Sequence, residues 1–374
     1  MSLKIRAITA SENTKFIKSQ WLFYKNDKNW VPPAIFDKKK LLNTHKNPFY
    51  HHADIQLFLA ENNGNIVGRI AAITNKGHND TFNDKVGFFG FFECYNDQEI
   101  ANALFSKASE WLKERDKISM RGPMNPSMND ECGLLIEGFD SPPVILMTYN
   151  PPYYAQLIEN AGFEKAKDLY AFKLEQETYR SEKLKRLSSI IQKRYNITIR
   201  EINLKDKKQF RKDLNVIKGI YNETWEENWG FVKFTDEEID YMAKDLKQIA
   251  DPRYVYFIDM GDKPVGFMIC LPDINQVLIY NKRGTLLGAI WNLLMKKKII
   301  HTLRIIVLGV LPKYQGIGLD AIMYHEIGLR AIPNGIMDGE ASWILEDNVK
   351  MIQALSRAMN TERYKTYRIY EKKI

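Results

Sequence analysis

In "VLPKYQGIGLDA", Gly316 and Gly318 follow an apolar run, "RIIVLGVL", and precede a helical pattern. A strand that turns through bare backbone into a helix points several N–H groups one way, at the positive end of the helix dipole. That arrangement suits phosphate oxygens, and glycine suits it because a side chain would hold the phosphate off the backbone. A plain tight turn reads the same way. The stretch is not a nucleotide P-loop, since no Gly-Lys-Ser/Thr follows, and its glycine spacing is not that of the dinucleotide fingerprint. Cys94, Cys132 and Cys270 are widely separated and the six histidines show no ligand spacing, so no metal site is expected.

The 374 residues suggest two or three domains, each able to bury a full core. A net charge of +8 permits an anionic partner. The 54 lysines and arginines are interspersed with 46 acids, which gives no strong nucleic-acid signal, and a phosphate-bearing cofactor needs only a local positive patch. The N-terminus has no apolar secretory core, and "IIHTLRIIVLGVL" is too short to span a membrane and carries Arg304. The expected location is cytoplasmic.

Positioning the glycine turn requires a repeated α/β scaffold, and the chain repeats itself at one offset. Val265-Gly266 in "KPVGFMICL" lies 198 residues beyond Val67-Gly68 in "NIVGRIAAI". "NVKMIQALSRAMNTERYKTYRIY", from Asn348, lies 198 beyond "NPPYYAQLIENAGFEKAKDLYAF", from Asn150. Each copy reads as a helical region, a hairpin, an apolar strand running into a helix, then strand, helix and strand. Ile17, Trp21 and Tyr24 share one face of the first helical region. Ile100, Leu104, Ala108 and Trp111 share a face in the first copy, as do Leu319, Ile322, Met323 and Ile327 in the second. Thr235 and Glu238 form a capping box. A polar helical linker without Gly or Pro is expected over 176–198, between domains at 1–175 and 199–374.

"VLPKYQGIGLDA" resembles the acyl-CoA-binding signature of the GNAT N-acyltransferase superfamily, whose core reads Gln/Arg-x-x-Gly-x-Gly/Ala after a strand. Gln315 and Gly318 match the first two fixed positions, while Asp320 stands where Gly or Ala is usual. The hairpin, the signature strand and helix, "GEASWILEDN" and the Asn348 helix follow the order of that fold. The resemblance covers both copies and implies the α/β (α+β) class, with two tandem GNAT-like domains, each a mixed, mostly antiparallel sheet flanked by helices. The first copy departs at the same place: "FFGFFECYNDQEIA" has Glu93, Asp97 and Glu99 where the second has glycines. It is expected to keep the fold and to have lost the cofactor. "RGPMNPSMNDECG" is a long loop there, or a site for a separate ligand.

The resemblance implies an acyl-CoA-dependent N-acyltransferase, acetyl-CoA or another acyl-CoA being the donor and a small primary amine the acceptor. Relatives splay the signature strand from the next one and seat the pantetheine arm between them. That places Leu308, Val310, Gln315, Gly316, Ile317, Gly318, Leu319 and Asn348 around the cofactor, Asn348 serving also as a helix N-cap. Glu340 is the base chosen for the acceptor ammonium, and Ser342 shares its strand face. Counting from Asn348 puts Leu355 where relatives carry a tyrosine acid, so Tyr367 is the nearest substitute. Trp225, Trp229, Asp273 and Asn275 are the acceptor candidates. "TLLGAIWNLLMKKKII", over 285–300, carries an apolar face and three lysines suited to a weak membrane or acyl-chain contact. Other readings are transfer from aminoacyl-tRNA or an acyl carrier protein, and a non-catalytic acyl-CoA-binding scaffold.

Overall fold

A computed structural model of the chain describes residues 3–179 and 181–374. Met1, Ser2 and Arg180, which the sequence reading puts in the first copy and the linker, lie outside the described residues.

The first half runs β1 (Leu3–Ala7), α1 (Asn13–Ser19), α2 (Ile35–Leu41), β2 (Ala53–Asn62), β3 (Asn65–Asn75), α3 (Lys76–Phe82), β4 (Val86–Cys94) and α4 (Gln98–Lys113). It continues through β5 (Ser119–Gly122), β6 (Met124–Asn125), β7 (Glu131–Cys132), β8 (Leu134–Glu137), α5 (Tyr154–Asn160) and β9 (Glu164–Glu175). α6 (Gln176–Tyr179) and α7 (Glu182–Tyr195) lead to β10 (Ile197–Glu201), α8 (Lys207–Trp225), α9 (Asp236–Ile249), β11 (Val255–Met260) and β12 (Lys263–Pro272). The chain closes with α10 (Asn275–Leu278), α11 (Leu286–Lys296), β13 (Thr302–Val310), α12 (Leu319–Ala331), β14 (Asp338–Leu345), α13 (Val349–Gln353) and β15 (Glu362–Lys373).

β3 and β12 begin 198 residues apart, as do the twelve-residue strands β9 and β15. Between β12 and β13 the second copy spends residues 273–301, where the first spends only 76–85. The extra length holds α11.

Two compact units form. Unit 1 gathers residues up to Leu169, Val277–Lys297 and Lys365–Ile374; unit 2 gathers Tyr170–Gln276 and Lys298–Tyr364. Each repeat's closing strand therefore divides its residues between the units. In unit 1 the strand order is β1-β2-β3-β4-β5, with β15 beside β5. Only β4–β5 is parallel among those pairs. Its core joins Phe58, Ile70 and Phe89 to Leu104 and Phe105 of α4 and to Tyr154 of α5.

In unit 2 the order is β14-β13-β12-β11-β10, with β13–β14 parallel and the rest antiparallel. Alternation along β11 feeds two cores, as a period of two requires. Tyr256 and Ile258 face α12, where Ile322, Met323 and Ile327 meet them, while Val255 and Phe257 face the α8 side with Ile220 and Phe267. α7 packs Leu184 and Ile191 into the α12 core. It stops at Tyr195, because Asn196 turns into the left-handed region (φ +51°) and β10 begins at once. Both bonds of the Thr235–Glu238 capping box are present. The first helical region breaks earlier than its pattern suggests. The Ser19 hydroxyl donates back to Phe16 O (2.7 Å), and the chain tightens to a 3-10 turn through Leu22.

Among the described residues, no helix is long and apolar enough to cross a membrane.

Candidate active site

Strands β13 and β14 pair over only four residues, Thr302–Ile305 against Asp338–Ala341. β13 runs on to Val310 and β14 to Leu345, so their facing edges part beyond Ile305. On its other side β13 stays bonded to β12, Leu308 opposite Met268 and Val310 opposite Gly266. A bulge initiates the parting: Ile269 pairs with Val307 but Cys270 with Ile305, which leaves Ile306 as the extra residue. The strand end is pinned by Gln315, whose Nε2 donates to Val310 O (3.0 Å), and by Thr224, whose hydroxyl donates to the same oxygen (3.4 Å).

Beyond the strand, Gly316 (φ +78°) and Gly318 (φ +91°) both take the left-handed conformation, and Gly318 is the N-cap of α12 with no side-chain cap. A Cβ on Gly318 would stand 2.5 Å from Ile191 Cδ1, whereas one on Gly316 would meet nothing within 4 Å. A helix whose first amides lack a side-chain cap leaves those amides to water or to an anion. Gln315, Gly316, Ile317, Gly318 and Leu319 supply the backbone there. Asp320 lies half-buried in the first turn of the same helix. Asn348 caps α13, accepting from Met351 N (3.2 Å).

The first copy has the same two features, both closed. β4 and β5 pair only from Val86–Phe88 to Ser119–Arg121, yet the gap beyond is filled by its own chain. Phe91 N donates to Asn125 Oδ1 (2.6 Å), and a Cβ on Gly90 would fall 1.7 Å from Met124 O. The loop "RGPMNPSMNDECG" is thus an internal plug. At the start of α4, Asp97 Oδ1 accepts from Glu99 N (2.9 Å) and Ile100 N (3.3 Å), supplying with its own carboxylate what an anion would supply. Glu93 is buried and accepts from Tyr154 Oη (2.8 Å), Tyr24 Oη (2.9 Å), Gln20 Nε2 (2.8 Å) and Arg69 Nη2 (3.3 Å). Burial outweighs these donors and raises its carboxyl above the usual carboxylate range. Asp97→Ala is expected to lower stability by about 1 kcal/mol in chemical denaturation and to leave acyl-CoA affinity unchanged in calorimetry.

The α8 side of the unit 2 sheet carries a buried polar chain. Arg304 and Glu340 are direct partners across β13 and β14, and both are buried. Arg304 Nε donates to Ser342 Oγ (3.0 Å) and its Nη2 to Ser342 O (3.1 Å). The Ser342 hydroxyl donates to Glu340 Oε1, and the hydroxyl of Tyr364 donates to Glu340 Oε2. The sequence reading did not include Arg304 or Tyr364 in this group. A signal for Tyr364 was available: it lies three residues from Tyr367, an odd step that puts the two on opposite strand faces. Tyr367 falls in unit 1, fully buried opposite Leu135 of β8. Leu355 is buried in the α12 core.

Trp225, the last residue of α8, presses its ring on Gly309 of β13, where an added Cβ would stand 2.9 Å from Cζ3. Tyr221 stacks on Trp225 (centroids 4.8 Å apart) and tilts against Phe231 and Phe234. These rings form an aromatic wall beside the strand, and Trp229 lies half-buried in the following turn. Asp273 is buried and accepts from Asn275 N (3.1 Å), a turn-stabilising bond at the start of α10. Leu308 and Ile317 pack partly buried on the α12 core, and Leu319 lies within it.

A duplicated repeat, parting parallel strands and an uncapped glycine turn define the tandem GNAT fold. Over its whole length the chain superposes on the tandem GNAT protein from the clavulanic acid biosynthesis pathway, with a TM-score of 0.59, 12% identity, and coverage of 100% of this chain and 98% of that one. Two relatives are much nearer in sequence. Protein YghO of Escherichia coli strain K12 is 35% identical over 367 residues, covering 96% of this chain and 92% of that protein. Bacterial ceramide synthase of Caulobacter vibrioides is 33% identical over 378 residues, covering 97% and 95%. The chain belongs to the family of these two proteins, within the GNAT acyltransferase fold. No protein-family model matches it.

Proposed function

We propose that this chain is an acyl-CoA-dependent N-acyltransferase, working in unit 2, that forms an amide on the primary amine of a long-chain amino alcohol. One observation carries the reading: the first copy's strand gap is filled by its own loop and its helix start is capped by Asp97, whereas in unit 2, among the described residues, β13 and β14 pair over only four residues and α12 begins at a glycine with no side-chain cap. The acceptor class follows from the relative named bacterial ceramide synthase, since a ceramide is a long-chain amino alcohol N-acylated by a fatty acid. The same name favours a fatty acyl-CoA over acetyl-CoA.

When bound, the coenzyme supplies an acyl group activated as a thioester. The amides from Gly316 to Leu319 hold its diphosphate, and the unpaired edge of β13 near Leu308 and Val310 aligns the extended arm and polarises the thioester carbonyl. Glu340 takes a proton from the acceptor ammonium, directly or through Ser342. The amine nitrogen bonds the carbonyl carbon as the carbon–sulfur bond breaks. Tyr364, in the same unit as Glu340, hands its hydroxyl proton to the departing sulfur, the role the sequence reading gave to Tyr367, and recovers a proton from the nitrogen as the amide forms, while Glu340 releases its own to solvent. Trp225 and Tyr221 offer an apolar wall to the acceptor.

The test is turnover with purified chain, a long-chain amino alcohol and acyl-CoA donors from two to eighteen carbons. Amide product with stoichiometric thiol release, greatest for long donors, is expected. Absence of thiol release with every donor would overturn the reading.

A further inference from the structure

The helix α11 is built inside out. Its surface toward the protein carries one large apolar residue: Ala289 is buried, and Gly288, Asn292 and Leu293 are half-buried. Its outward positions are Leu286, Leu287, Ile290, Trp291, Leu294 and Met295, all apolar and all exposed. Leu287 is 81% exposed, Leu294 76% and Trp291 65%, whereas an ordinary surface helix turns such residues inward. A contiguous apolar face of this kind marks an interaction site.

The helix is nevertheless firmly rooted. The Thr285 hydroxyl accepts from Gly288 N (3.1 Å), capping it, and Asn281 Nδ2 donates to Thr285 O (2.9 Å). Trp21 Nε1 donates to Lys282 O (2.7 Å), and Ile35 N to Gly284 O (2.9 Å). A Cβ on Gly284 would stand 2.5 Å from Pro33 O, so the root fits closely against the body of unit 1.

Charge identifies the occupant. Lys282 and Arg283 flank the helix at its start, and Lys296 and Lys297 at its end; Lys282, Arg283 and Lys297 are exposed. Lys296 Nζ sits 3.4 Å from the Tyr280 ring centroid, which keeps the cation beside another exposed apolar side chain. No Asp or Glu occurs between Asp273 and Asp320. An apolar face containing a tryptophan, bordered by cations and free of acids, matches the boundary between headgroups and acyl chains of an anionic bilayer.

We infer that α11 is an interfacial helix that lays its Leu287–Trp291–Leu294 face into an anionic lipid surface. This docking is independent of the reaction proposed for unit 2, because binding is read without turnover.

The experiment is sedimentation of the full chain with vesicles of phosphatidylcholine alone and of phosphatidylcholine with phosphatidylglycerol. Strong partition to the anionic vesicles, weakened by salt, is expected, together with a blue shift of fluorescence that Trp291→Phe removes. Leu287→Glu/Leu294→Glu, changed on a solvent-facing surface, should cut partition at least about 100-fold with its circular dichroism melt unchanged. Lys296→Gln/Lys297→Gln should cut it about fivefold per lysine on anionic vesicles only. Failure of the unaltered chain to bind anionic vesicles would overturn the inference. So would a lipid-free dimer that Leu287→Glu/Leu294→Glu dissociates, which would make a second copy the occupant.

Discussion

Gly318→Val is expected to weaken acyl-CoA binding by at least about tenfold, the cost of losing one or two charge-assisted bonds of about 1.5–3 kcal/mol each. Two causes act together. At φ +91° a β-branched residue is strained, and its Cβ would stand 2.5 Å from Ile191 Cδ1, so the tip of that side chain must turn aside. A branched side chain would also crowd the amides proposed to hold the diphosphate. Gly316→Ala separates these effects, since a Cβ there meets no protein atom within 4 Å. If amide access matters, Gly316→Ala loses affinity by about tenfold or more while its thermal melt moves by only the strain of about 1–2 kcal/mol. Calorimetric titration of both variants with a nonhydrolysable acyl-CoA analogue gives the answer. Unchanged affinity in Gly318→Val would remove the cradle from the account.

Parts of this arrangement were readable from the chain because the repeat kept its spacing where the strands are continuous. β3 with β12, and β9 with β15, hold the 198-residue offset to the residue. β4 and β13 do not, because α11 and its root are inserted between β12 and β13, so sequence self-comparison loses the register at the strand that matters most. The division of β9 and β15 between the two units was beyond reach for a different reason. A strand's pattern states which faces are buried and leaves open which neighbouring edge it joins. The plug in unit 1 was legible only as a Gly- and Pro-rich loop, since the bond from Phe91 N to Asn125 Oδ1 joins positions 34 apart. Glu93 read only as one of three acids standing where the second copy has glycines. Its actual state, buried under two tyrosine hydroxyls, depends on Tyr24 and Tyr154, which are remote in sequence. The turn at the glycine pair, by contrast, was legible, because its left-handed conformation is local and made of backbone.

Glu340→Gln should lower kcat by about 10²–10⁴-fold, the range for loss of a positioned general base, while donor affinity shifts less than about twofold. The geometry supports a sharp comparison because glutamine keeps the shape of the side chain: its one amide oxygen still accepts from Tyr364 or Ser342, and the other hydroxyl must turn to accept from the amide N–H. What it loses is the ability to hold a proton and the charge opposite buried Arg304. These losses have different readouts. If Glu340 were only the counter-charge of Arg304, breaking that buried pairing would cost stability of about 3–5 kcal/mol and leave turnover of the surviving folded protein intact. If it is the base, the per-molecule rate collapses even where the variant is fully folded. Tyr364→Phe gives the matching control. It frees one carboxylate oxygen without altering charge, so a proton-donor role predicts a fall in kcat that is relieved with donors whose leaving thiol is more acidic. A melt unchanged in Glu340→Gln with kcat also unchanged would remove the carboxylate from the reaction, and the hydrogen-bonded chain from Arg304 to Tyr364 would then be scaffold alone.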